Sequence, residues 1–219
     1  MLFRSPPHSF FLQYGRALLQ SGKPAASIGP LKISVSKTPT ADAFVELGEA
    51  ASQIGEIKNA ELAWKEALKY SPLDRQARES LANSALQALA AEDALKWLGP
   101  LEEVPGMRVS TAFLFQRTYA ALKDSAGMKK WTEKTALLRE KEQFRSSLDN
   151  LIADAPNSFW ARAARTHDYA SDSNWEQAEA MVDRLLKESP GDPFIIELAD
   201  AVRRRSKLPA IEGIPVPKS

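Results

Sequence analysis

The chain has 219 residues, 44% hydrophobic and 26% charged, with a formal net charge of +1 and a mean hydropathy of −0.33. That composition belongs to folded globular chains, and the near-balance of charge argues against a dedicated nucleic-acid binder, whose phosphate contacts show as a basic excess. No apolar run reaches the roughly 20 residues that span a bilayer. Cysteine is absent and there are two histidines, His8 and His167. Disulfide frames and cysteine-ligated metals are thereby excluded, and imidazole chemistry is thin. No glycine-rich phosphate loop, His-Glu-x-x-His pair, nucleophile elbow or acidic calcium loop occurs, so the reading is non-catalytic, with no metal and no cofactor.

The first forty residues carry no Asp or Glu before Asp42, while Arg4, Arg16, Lys23, Lys32 and Lys37 are present. An acid-free, Arg-bearing and Ser-rich start reads as an organellar transit peptide. The competing reading is a helical hairpin, with Phe11 and Gly15 on its first helix, a turn at Ser21 and Gly22, and Pro39 as its close. Residues 1–7 are a frayed lead-in on either reading. The expected compartment is cytoplasmic, with an organellar or exported location as the alternative.

Residues 41–72 set the register of the chain. Apolar and small residues recur at helical spacing in two runs, Phe44, Leu47, Ala51, Ile54 and then Ile57, Ala60, Trp64, Ala67, Leu68. Gly55 separates the runs and Pro72 closes the second, so the stretch predicts a helical hairpin. Two antiparallel helices approach closely only where side chains are minimal, so Gly48 and Ala60 matter as much as the bulk of Trp64. Counting Ala41 as position 1, the residues Phe44, Leu47, Gly48, Ala60, Trp64, Ala67 and Pro72 resemble the signature of the tetratricopeptide repeat, with Ala51 standing where Tyr is usual.

The same register carries backward to His8 and forward to Arg75, where Leu81, Ala82, Ala85, Ala94, Leu98 and Leu101 fall on signature places and Gly106 replaces the closing Pro. Pro30 and Pro100, each preceded by Gly, predict second helices that are kinked or short at these points. From Val109, Phe115 and Tyr119 match and Lys123 with Asp124 marks a turn. The phase then slips. Trp131, Thr135, Leu138, Phe144, Leu148, Leu151 and Ile152 keep three-and-four spacing with neither Gly nor Pro until Pro156. One helix over about residues 126–154 explains this, with a break near Lys141 and Glu142 as the alternative. The phase returns at Phe159 with Tyr169, Ala178, Val182, Leu185 and Pro190, and Pro193 opens a last helix without a partner, as a solenoid is capped. Trp64, Tyr119 and Tyr169 read as core. Arg203, Arg204 and Arg205 read as cations at a helix C-terminus. Residues 207–219, with Pro209, Pro215 and Pro217, read as an extended tail, or as a strand at 211–216 docked in a groove.

The resemblance implies an all-α, right-handed α-α superhelix of four to five hairpins, near 8–40, 41–74, 75–108, an extended 109–156 and 159–192, with a cap at 193–206. It also implies a concave face lined by first helices. Positions 2, 5 and 9 of each repeat put Arg16, Glu49, Glu79, Asn83, Phe113, Arg117, Trp160 and His167 there. The expected role is a non-catalytic scaffold that binds a protein or peptide. The alternative is a structural subunit, self-associating or part of a larger complex through the long helix, the cap or the tail. A clamp for chaperone carboxyl termini is disfavoured, because Val45, Glu49 and Ser80 stand where its Lys and Asn residues would be wanted.

Overall fold

The computed structural model describes residues 8–216; the lead-in at residues 1–7 and the last three residues of the tail lie outside the described residues. Among these are eleven α-helices, two 3-10 turns and no strand. The helices are α1 (His8–Gln20), α2 (Pro24–Lys37), α3 (Ala41–Gln53), α4 (Ile57–Tyr70), α5 (Arg75–Gln87), α6 (Ala91–Leu98), α7 (Val109–Ala121), α8 (Ser125–Asp154), α9 (Phe159–Ser171), α10 (Trp175–Glu188) and α11 (Pro193–Arg204). They pack in chain order, each from α1 to α7 against the next and α9 through α11 likewise. The all-α repeat of paired helices expected from the hydrophobic period is present. The chain divides into two compact units, Met1–Ala136 and Leu137–Ser219, each described separately below.

One turn is used five times. The residue at position 15, counted from the start of α1, α3, α5, α7 or α9, has a positive φ: Gly22 (69°), Gly55 (80°), Leu89 (61°), Lys123 (59°) and Ser173 (61°). The amide that follows it donates to the carbonyl five residues back, as in Glu56 to Ala51, Ala90 to Ala85 and Asn174 to Tyr169, at 2.8–2.9 Å. This left-handed closure satisfies carbonyls that the end of a helix would otherwise orphan. Helix starts are equally regular. The side chains of Thr40, Asp74, Ser158 and Asp192 accept from the amides of Ala43, Ala77, Ala161 and Ile195 and cap α3, α5, α9 and α11.

Within the first unit, small residues on the first helices receive large ones from the second. A Cβ added at Gly15 would fall 2.5 Å from Leu31 Cγ, and one at Gly48 would fall 2.5 Å from Trp64 Cδ1. Ala82 and Leu98, at the corresponding places of the third hairpin, are both fully buried. In the fourth, the fully buried Trp131 of α8 stacks on Phe115 of α7, with centroids 3.9 Å apart and planes 4° from parallel. The indole N–H groups of Trp64 and Trp131 have no hydrogen-bond partner. These rings are held by packing and, for Trp131, by the stack on Phe115 with Lys130 and Lys134 over its ring.

The two prolines act differently. α6 stops at Leu98 and a 3-10 turn, Gly99–Leu101, follows; Arg78 meets the early end by donating from Nη1 to the Trp97 carbonyl at 2.9 Å. α2 instead runs on through Pro30 to Lys37, so of the kinked or short helix expected there the short form does not occur. Leu31 and Ser34, after Pro30 in the sequence, are buried. α8 is one continuous element of 30 residues through Lys141 and Glu142, as the unbroken spacing predicted. Residues 8–37 form a hairpin packed on α3, which is the repeat reading of the acid-free start.

In the second unit, α9, α10 and α11 enclose Ala163, Ala164, Val182, Leu185, Ile195, Leu198 and Val202, with Leu148 of α8 in the same cluster. Two expectations need correction here. Tyr169 is 37% exposed rather than core. In the fourth hairpin Tyr119 lies over Gly127, whereas the corresponding place after Tyr169 holds Gln177 and offers no recess. The tail through Val216 is not free: it docks on helices of its own unit, as the alternative reading has it, but through a 3-10 turn, Ile211–Gly213, rather than as a strand, and buries Ile214 to 1% exposure. Proline forbids a continued helix but does not forbid packing. At the cap, Arg203 and Arg204 pair with Asp183 and Asp200 at 2.7 and 2.9 Å, and Arg205 closes α11 in the left-handed conformation.

Candidate partner-binding face

Three of the bonds made by residues assigned to the first-helix face of the first unit run between neighbouring hairpins. Arg117 of α7 donates from Nη1 to Asn83 Oδ1 of α5 at 3.2 Å. Both stand at position 9 of their hairpins, so the bond joins equivalent places in neighbouring hairpins. Thr111 Oγ1 donates to Glu79 Oε1, joining the same two helices one turn earlier. Arg16 of α1 donates from Nε to Glu46 Oε1 of α3 at 2.6 Å, with Asp42 4.0 Å away. These bonds fix the rotamers of long polar side chains, which lowers the ordering cost of any contact they make with a ligand.

Glu49 and Asn83 converge. With Ser52, Ile57, Trp64, Ser80, Ser84 and Gln87 they line a recess of ≈ 250 Å³ over α3, α4 and α5. Its rim is polar. Glu49 accepts from Gln53 at 2.9 Å, and Ser84 Oγ donates to Glu61 Oε1 at 2.5 Å on its floor. An Asn amide presents two donors and an acceptor, so Asn83 retains the capacity to pair with a peptide backbone while accepting from Arg117. Phe113 lies on α7 beside this row and is 41% exposed. The structure therefore brings Glu49, Asn83 and Arg117 to one place, sets Glu79 and Phe113 along the same helices, and commits Arg16 to bracing α1 against α3.

Trp160 and His167 belong to the second unit and have other neighbours. Trp160 packs edge-on against Phe159 at 5.0 Å and Phe194 at 6.4 Å, so its ring serves the contact between α9 and α11. His167 Nε2 lies 3.0 Å from the carbonyl oxygen of Pro209, in the chain's own C-terminal segment. Docking of residues 211–216 is the alternative reading of the tail, but its meeting with His167 is not expected from the sequence, since Leu208, Ile211, Ile214 and Val216 follow no helical period.

Among the described residues no group of three or more imidazoles or carboxylates converges as a metal site would require, and no helix is long and apolar enough to cross a membrane. No protein-family model and no curated protein matches the chain.

Proposed function

We propose that the protein is a non-catalytic, tetratricopeptide-like interaction scaffold that holds an extended segment of a partner protein across α3, α5 and α7. The observation that carries this reading is the bond between Arg117 and Asn83 beside the recess that Asn83 shares with Glu49. Carboxylate, carboxamide and guanidinium groups, pre-positioned on rigid helices and flanked by the exposed Phe113, suit a peptide backbone with a polar side chain and an apolar anchor. The identical hairpin closures and the contact of Gly48 with Trp64 support the family resemblance. The test is capture of a partner from the native lysate by the full chain and by Arg117→Glu. The variant is expected to lose most of the captured partner while its helical circular dichroism is unchanged; equal capture would overturn the reading.

A second reading, a structural subunit of an assembly, has one observation in its favour. Ile28, Phe44, Leu47, Ala51 and Leu62 line an apolar recess of ≈ 270 Å³, and Leu62 is 61% exposed beside it. Light scattering of the purified chain separates the readings, because self-association through this recess makes the mass rise with concentration and disappears in Leu62→Lys.

A further inference from the structure

The C-terminal segment of the second unit lies on its helices as a bound peptide would. After Arg205 the chain leaves α11, residues 206–210 have no regular structure, and one turn closes with Gly213 donating to Ala210 and Ile214 to Ile211, both at 3.0 Å. The contacts of the segment are otherwise with the body. The His167 ring of α9 meets the Pro209 carbonyl at 3.0 Å, and Ser171 Oγ lies 3.4 Å from the other ring nitrogen. An Oγ–H donor to Nδ1 leaves Nε2 protonated and donating to the carbonyl. Pro209 and Ile214 are buried, while Leu208, Ile211 and Val216 pack on the cluster that holds Ala163, Ile195 and Leu198. Gly213 rests on Phe194, where a Cβ would fall 2.7 Å from Cδ2. His167 on α9 and Phe194 on α11 are thus both covered by the segment.

We propose that this face of α9 and α11 is a second peptide site, distinct from the face of the first unit and independent of its reading, and that residues 208–216 are its resident occupant. The exchangeable occupant is an unstructured partner segment of the same chemistry: an aliphatic residue before proline, a carbonyl for His167, and two aliphatic residues three positions apart ahead of a second proline. A segment held by one side-chain bond and by aliphatic burial, with a turn local to itself, makes nothing that an equivalent peptide could not make. Tethering is what keeps it in place. A short tether gives an effective concentration of about 1 mM, so a free peptide with an intrinsic Kd of about 10 μM would be held off roughly 100-fold.

The test uses the full chain and a labelled synthetic peptide spanning residues 207–219, read by fluorescence anisotropy. Ile214→Glu, which places a charge in the buried seat, is expected to bind the peptide at least ten-fold more tightly than the wild-type chain. A peptide with Asp at both isoleucine positions, and the double variant Ile214→Glu with His167→Ala, are expected to bind at least ten-fold more weakly. No binding to an Ile214→Glu chain that still melts cooperatively overturns the proposal. Should that variant fail to fold, a protease site placed between Ser206 and Lys207 and cut in the folded wild type decides. Exchange of the cut segment for labelled peptide supports the proposal, whereas a segment that never exchanges, or whose departure unfolds the unit, shows that it is core. A dimer in light scattering of the cut chain assigns the seat to a second copy and equally overturns it.

Discussion

At the scale of single residues, the first unit depends on places where a side chain must be absent. Gly48 is the clearest, since any Cβ there enters the Trp64 indole and the ring is confined at 4% exposure. Gly48→Leu is expected to destabilise by about 1–3 kcal/mol through overpacking, read as a lower thermal midpoint; an unmoved midpoint would mean that the two helices do not cross there. Leu89 is the opposite case. It holds φ 61° with its side chain 93% exposed, at the place where the first two hairpins use Gly22 and Gly55. The left-handed conformation costs a non-glycine residue about 1–2 kcal/mol, partly offset by the extra freedom glycine brings to the unfolded chain. Leu89→Gly is therefore expected to raise stability by about 0.5–1 kcal/mol, and a loss of stability in chemical denaturation would contradict the turn geometry. Gly48 and Gly55 are legible in the sequence because a glycine within a helical period is conspicuous. Leu89 and Ser173 are not, and at Lys123 the turn is legible but the positive φ is not, because nothing in those side chains announces it; only the count from the helix start finds it.

At the scale of elements, hydrophobic spacing located the helices and proline located where they are disturbed, but not how. Pro100 ends α6, where Arg78 supplies the Trp97 carbonyl with a donor, while Pro30 is carried inside α2, with Leu31 and Ser34 buried after it. That difference lies in tertiary partners on other helices, 19 residues away for Arg78 and Trp97, which no local pattern contains. The α9 and α10 hairpin carries a paired charge with a consequence for acid stability. Arg162 donates to both carboxylate oxygens of Glu188, at 2.6 and 2.5 Å, and this hydrogen bonding, with the neighbouring positive charge, holds the Glu188 carboxyl below the ordinary glutamate range. A depressed folded-state value means that the pair contributes above the unfolded glutamate pKa and is lost as pH falls through the folded one. Glu188→Gln is expected to change the thermal midpoint little at neutral pH, since the pair is solvent-exposed and screened, and to flatten its decline at acid pH. Parallel acid limbs for variant and wild type would show that Glu188 does not contribute.

At the scale of the whole molecule, charge is near neutral and polar side chains brace neighbouring hairpins of the first unit. The resemblance put Asn83 and Arg117 at position 9 of neighbouring repeats, and the two are bonded to each other. The fate of Trp160 and His167 was not legible. Their partners are Phe194 on the last helix and Pro209 in an irregular segment, and irregular chain buries aliphatic groups without any period to betray it. The central claim, that α3, α5 and α7 receive a partner segment around Asn83, is tested most directly by crosslinking with mass spectrometry in the native host, using a photoreactive residue at position 83 and a control at Lys65 on α4. The account predicts crosslinks from position 83 to one short stretch of a partner protein, lost in Arg117→Glu and absent from position 65. Crosslinks of equal yield from both positions, or none from position 83 in the folded chain, would contradict it.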